Sequence, residues 1–175
     1  MSNYCASNGR IEKLVNYADF APVFKVFEEF PFFESWKPGA IREEFDMFMK
    51  EGEIFGYYLE QKCVGIVTLI PHKDGKYPVA FKDSEKVMYL SDIAVLPEYR
   101  RKGIAGHLFH HVIVHSKVLG YDKIYLRTNK VNSMSYGIAV KCGFTVMEGI
   151  EQEVEMARVD GTIQKDTRIF LEKIL

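Results

Sequence analysis

Residues 87–109 read VMYLSDIAVLPEYRRKGIAGHLF, and their pattern decides the fold. The first half is an apolar run carrying Ser91 and Asp92 and stopped by Pro97, which predicts a strand. The second half passes from Arg100, Arg101 and Lys102 through Gly103. Ile104, Leu108, Val112 and Leu119 then recur near one helical face, which predicts a helix over residues 104–119 with Gly120 as its stop. Positive charge therefore gathers where a helix begins, in a chain of formal net charge −1.

The first turn of a helix has backbone N–H groups without intrahelical partners and a partial positive charge. Gly103, Gly106 and the small Ala105 let an anion approach that backbone, and three cations stand beside it. Two readings fit these residues. One is a glycine turn with solvated cations; the other is an anion cradle of a size that suits a pyrophosphate.

Working outward, residues 1–9 read as a flexible leader and residues 10–175 as a single domain. Residues 11–15 alternate like a strand. Asp19 is a candidate cap for an aromatic helix that follows it, residues 30–40 read as a loop, and residues 40–52 as a second helix. Residues 54–60 and 63–72 flank the polar pair Gln61–Lys62 and predict a hairpin. Residues 72–86 read as a polar connection. After the central strand and helix come a strand over 122–128 and a short helix over 133–143. Three closing strands follow over 144–150, 153–159 and 167–174, with a turn at Asp160–Gly161. This order predicts an α+β fold, a mainly antiparallel mixed sheet with one crossover helix and about four helices.

The 23 basic and 24 acidic residues nearly cancel. No general basic face is implied, so nucleic acid is not an expected partner. The apolar run at residues 64–70 is far too short to span a bilayer, so no membrane role is expected. Cys5, Cys63 and Cys142 are odd in number and widely spaced, which suits reduced thiols in a cytoplasm. His107, His110, His111 and His115 share one helix without a supporting cluster of acids or thiols. They read as surface residues, and no metal is expected.

Residues 87–109 resemble the acetyl-coenzyme A binding segment of the GNAT superfamily of N-acetyltransferases. That pattern is Arg or Gln, two residues, Gly, one residue, then Gly or Ala; here Arg100, Arg101, Lys102, Gly103, Ile104 and Ala105 fill it. Residues 132–144, NSMSYGIAVKCGF, are similar to the family's later N-x-x-A…GF segment. The resemblance covers roughly a third of the chain and implies a GNAT-like fold with acetyl-CoA as cosubstrate. It implies that amides from Lys102 to Gly106 hold the pyrophosphate and that the strand edge at Ile93 to Val95 pairs with the pantetheine arm. Asn132 is then placed near that arm, and also reads as a helix cap. No Gly-Lys-Ser/Thr follows the loop, which weakens a nucleotide-binding reading.

The implied reaction is direct attack of a primary amine on the thioester in a ternary complex. An amine with a pKa of about 10.4 needs a base. Asp92 and Glu98 are the candidates, the latter reading as a surface residue, and an ordered water is the alternative to both. Asp92 also reads as a structural acceptor. Plain alternation along the strand sets Tyr89, Ser91 and Ile93 on one face and Asp92 on the other. Some family members have a glutamate where Ser91 stands, and the family's general acid is often a tyrosine where Ala139 stands. Tyr136, three residues before Ala139, is the nearest candidate acid. The acceptor expected is a small-molecule or peptide amine; Phe32, Phe33, Trp36 and glutamates 28, 29 and 34 suit a cationic amine with an apolar part, and singly they also read as core aromatics and solvated glutamates. A homodimer is left open. The alternative function is a non-catalytic coenzyme A binding or sensing module.

Overall fold

The structure is a computed structural model and describes residues 9–29, 37–157 and 161–175. The leader before Gly9, the aromatic loop with Phe32, Phe33, Glu34 and Trp36, and Asp160 lie outside the described residues.

The elements are β1 (Arg10–Lys13), α1 (Tyr17–Phe24), α2 (Ala40–Glu51), β2 (Glu53–Leu59) and β3 (Lys62–Pro71). Then come β4 (Val87–Val95), α3 (Ile104–Val118), β5 (Lys123–Asn129), α4 (Ser133–Lys141), β6 (Thr145–Ala157) and β7 (Ile163–Ile174). The strands form one sheet in the order β1-β2-β3-β4-β5-β7-β6. Only β4 and β5 pair in parallel, joined through α3, and the other pairs are antiparallel. This is the expected α+β architecture with its single crossover.

Several local expectations are corrected. Asn16, not Asp19, caps α1, its Oδ1 accepting from the Ala18 N–H at 3.0 Å. Asp19 sits in the first turn, where it accepts from the Tyr58 hydroxyl at 3.3 Å. Pro22 removes one donor inside α1, and the chain tightens into a 3-10 turn over Lys25–Glu29. The closing segments are two strands, not three. β6 runs through residues 147–150 as an extended bulge, since Val146 pairs with Leu171 and Glu151 already pairs with Ile169. Gly149 supplies a positive φ of 75° within it.

The decisive irregularity lies between β3 and β4. Leu69 pairs with Leu90 and Thr68 with Asp92, so Ser91 is an extra residue on β4. Opposite residues of an antiparallel pair share a face. Tyr89 and Asp92 therefore share a face with Ile70 and Thr68, while Leu90, Ile93 and Val95 share the other with Leu69, Val67 and Gly65. Plain alternation fails at Asp92 because a bulge resets its phase.

Helix α3 covers the second of these faces. A Cβ on Gly65 would meet Ile104 and Leu108, so the missing side chain lets α3 approach the sheet. On the first face, α1 and α2 interlock through Phe20, Phe45 and Phe48, and Pro22 shares a surface groove with Leu96. The connection after β3 also covers part of that face. Its Tyr77, Val79 and Phe81 pack on Tyr89, Tyr125 and Phe170 as a second, smaller core. No helix among the described residues is long and apolar enough to cross a membrane.

The histidines divide. His107 and His110 are exposed, but His111 and His115 are half-buried against the Phe55 ring. His115 contacts Glu53 at 2.6 Å, and His111 Nε2 finds no hydrogen-bond partner among the described residues. Burial first, and then the nearby His115, hold the His111 pKa below its ordinary value. The unfolded chain then binds this proton more readily than the folded one. The stability contribution is complete above the unfolded pKa of about 6.5 and is lost as pH falls below it through the lower folded pKa. The melting temperature of the protein should drop as pH falls below about 6.5, and His111→Gln should flatten that slope. Equal slopes for the two proteins would remove His111 as the cause.

Candidate active site

Strands β4 and β5 pair from Val87 with Lys123 to Leu90 with Leu126, and there the ladder stops. The bulge at Ser91 turns β4 aside at that point. A cavity of about 270 Å³ opens where the strands part. Leu90, Ile93 and Phe109 line it on the α3 side, and Tyr89, Asp92 and Arg127 on the other. The cavity is thus lined by residues from both faces of the sheet.

The direction of the β4 amides follows from its bonds. The Asp92 N–H donates to Thr68 Oγ1 at 2.9 Å and the Leu96 N–H to the Val64 carbonyl at 2.9 Å, both on β3. Successive N–H groups of a strand point to opposite edges, so those of Ile93 and Val95 point into the parting. The Val95 carbonyl already accepts from Arg100 Nε at 3.0 Å.

Asp92 is held in place. Its Oδ2 accepts from Thr68 Oγ1 at 3.2 Å while its own N–H donates back, so Thr68 locks backbone and carboxylate together. Burial raises its pKa above the ordinary carboxylate value, against the hydrogen bonds of Ser91 and Thr68 and the charge of Arg127. Glu44 of α2 is raised too, by burial first and by Asp92 second, which places a second carboxylate toward the same side. Glu98 is exposed, pairs with Lys62 at 3.3 Å and does not line the cavity.

The loop after β4 has the shape an anion needs. A 3-10 turn over Pro97–Tyr99 ends the strand. Arg101 then takes a φ of 62° and Gly103 one of 81°. Gly103 caps α3 without a side-chain hydrogen bond, and the His107 N–H is the donor that reaches its carbonyl, at 3.1 Å. The amides of Ile104, Ala105 and Gly106 therefore head the helix, and a Cβ on Gly106 would meet nothing within 4 Å. Arg101 and Lys102 are exposed beside it, with Lys102 Nζ 5.0 Å from the Tyr99 ring centroid. Arg100 is directed elsewhere. Besides the Val95 carbonyl it meets Glu29 at 3.2 Å, tying the strand end to the turn after α1. These residues fit a pyrophosphate.

Asn132 acts as the helix cap that the sequence suggested. It caps α4, accepting from the Ser135 N–H at 3.2 Å, and it lines the cavity. Tyr136 is 39% exposed and does not line the cavity, while Ala139 is buried in the core. Of the residues the sequence singles out, Asp92, Ile93 and Asn132 meet at the cavity, and Lys102 to Gly106 form the loop at the end of the same strand. Arg127, Asn129, Arg168 and Tyr77 line it as well, and sequence reasoning missed them. The available signal was a cation next to the apolar run of each strand, Arg127 after Ile124–Leu126 and Arg168 before Ile169–Leu171. Among the described residues no group of three or more His, Cys, Asp and Glu could hold a metal.

Residues 21–144 match the model of the acetyltransferase (GNAT) family. The ribosomal-protein-alanine N-acetyltransferase from Brucella melitensis is 14% identical with a TM-score of 0.72, over 95% of this chain and 99% of that one. The ribosomal-protein-S18-alanine N-acetyltransferase from Escherichia coli is 17% identical with a TM-score of 0.67, over 95% of this chain and 93% of that one. A GNAT family acetyltransferase from Elizabethkingia anophelis, solved with acetyl-CoA bound, is 19% identical with a TM-score of 0.62, over 96% and 99%. At these identities the likeness is one of fold. No curated protein matches the chain.

The left-handed geometry at the head of α3 has a stability consequence. Gly103→Ala forces a Cβ into positive φ and should destabilise the protein by about 1–2 kcal/mol, read as a lower urea midpoint. An unchanged midpoint would mean that the turn does not require this geometry.

Proposed function

The chain belongs to the acetyltransferase (GNAT) family, and from that premise we propose that it moves an acetyl group from acetyl-CoA to a primary amine of a small molecule or peptide, in a ternary complex. The observation that carries this reading is the parting of β4 and β5 beside an uncapped, cation-flanked helix start. The helix start suits the coenzyme pyrophosphate, and the pantetheine arm would enter the parting along the Ile93–Val95 edge. The free amine attacks the thioester carbon, the C–S bond breaks and the thiolate leaves.

Asp92 is the proposed base, directly or through a water. Its raised pKa brings it closer to the working range of a general base than an ordinary carboxylate. The Ile93 N–H, aimed into the parting, is the proposed donor to the developing oxyanion. Tyr136 is the remaining candidate acid, though a thiol of pKa about 8.5 leaves as thiolate without one. The proposed setting is a reducing cytoplasm, which suits the free thiols Cys63 and Cys142. A coenzyme A sensing module is the alternative, and turnover with an amine panel separates the two.

Two measurements test the reading. Acetyl-CoA and CoA at a hundred times their Kd should each stabilise the fold by about 2.7 kcal/mol, and ATP should not. Absence of any shift at millimolar ligand would sink the cosubstrate assignment. Asp92→Asn should lower kcat by roughly 10²- to 10⁴-fold. In the unchanged protein activity should fall as pH drops through the raised Asp92 pKa, above the ordinary value of about 3.9. The variant should lose that acid limb, while Tyr136→Phe should cost little. Full activity of Asp92→Asn with the same pH profile would take Asp92 out of the chemistry.

A further inference from the structure

The face of the cavity opposite α3 carries, besides Asp92, two arginines that the transfer chemistry does not use, Arg127 and Arg168. Arg127 sits in the middle of the sheet on β5, half-buried. Its Nη1 donates to the neutral Gln152 Oε1 at 2.9 Å, and its guanidinium lies 4.7 Å from the Tyr77 ring centroid. Arg168 on β7 is more enclosed, its side chain 12% exposed, and it meets Asp166 at 3.5 Å. Asn129 pairs with Arg168 across the strands, and Arg127 with Phe170. Arg127, Asn129 and Arg168 therefore share one face, and all three line the cavity.

Asn129 adds an independent observation. The residue is 2% exposed. Its Oδ1 accepts from the Val131 N–H at 2.9 Å, which fixes the amide orientation. Its Nδ2 is buried and has no hydrogen-bond partner among the described residues. A buried donor left unmet carries a free-energy cost, which a ligand that meets it in the cavity removes. Burial and the neighbouring Arg127 also depress the Arg168 pKa. An anion between the two guanidiniums relieves that repulsion.

We propose that Arg127, Arg168 and the Asn129 amide form a seat for a carboxylate on the acceptor, so that the substrate is a small amine bearing a carboxylate, of the amino-acid class. The assignment rests on the transferase reading above. Asp92 lies on the same face, at the edge where the thioester carbon is expected. An amino acid thus lays its carboxylate on the arginines, which suit planar bidentate binding, and its amine toward Asp92. A simple alkylamine leaves the seat unmet.

The test is kcat/KM on matched series with acetyl-CoA: L-phenylalanine, its carboxamide and phenethylamine, then L-lysine, its carboxamide and cadaverine. The carboxylate member of a series should lead by roughly 10- to 100-fold, the range of a charged hydrogen bond. Arg127→Gln should bring the acid-to-amide ratio toward one. Arg127→Lys, which keeps the charge and loses the fork, should fall between. A merely structural role for Arg127 would lower both members alike and leave the ratio unchanged. That result, or amides and amines turning over as well as acids in the unchanged protein, overturns the seat and leaves the transferase reading intact. No turnover in either series while acetyl-CoA still raises the melting temperature also overturns the seat. Loss of acetyl-CoA binding as well would bring down the transferase reading with it.

Discussion

One extra residue in a central strand governs the molecule. Ser91 has no partner of its own on β3, so β4 bends there and its pairing with β5 ends at Leu90. A bulge of this kind breaks the ladder and resets the side-chain phase in one step. The break opens the cavity and leaves the Ile93 and Val95 amides facing it. The phase change turns Asp92 away from α3 and toward the face that carries Glu44, Arg127 and Arg168. Without it, the carboxylate would point toward α3.

The same strand feeds the helix start, and this sets the electrostatic layout. Arg101 and Lys102 are exposed, where their charge acts by attraction in water and weakens with salt. Arg127 and Arg168 are enclosed, where charge is costly unless met. Arg100 joins neither group, since it holds the strand end to Glu29 and the Val95 carbonyl. A chain with nearly balanced charge therefore presents two cationic groups of different kinds, one exposed at the head of α3 and one enclosed in the sheet.

The sequence carries the element order well because periodicity and turn residues are local. The strand, glycine loop and helix of residues 87–118 read correctly, as does Asn132 as a cap. Asp92 was placed on the wrong face because a bulge at Ser91 depends on its partner strand, which local alternation does not contain. β6 was split in two for a related reason, since its bulge at residues 147–150 forms only against β7. The connection after β3 read as polar because its lysines and aspartates outnumber Tyr77, Val79 and Phe81. Those three residues nonetheless build a second core over the site. Arg127 and Arg168 belong to strands separated by one helix and one strand in the chain, and become neighbours only because β7 inserts between β5 and β6.

That insertion also explains why buried polar groups meet beside the cavity. β7 brings Arg168 and Asp166 beside β5, where Asn129 must also turn the chain toward α4. A core of apolar side chains at these positions would fold with less cost, because a buried ion pair often stabilises less than the hydrophobic packing it displaces. The cost is concentrated around a cavity lined from both faces of the sheet, with Asp92 at its edge and Arg101 in left-handed geometry on the loop beyond. Strained and incompletely satisfied groups persist where the surrounding fold over-determines them, and here the long β6–β7 pair and the α3 crossover supply that support. The polar face of the cavity is thus framed by the long strand pairs around it.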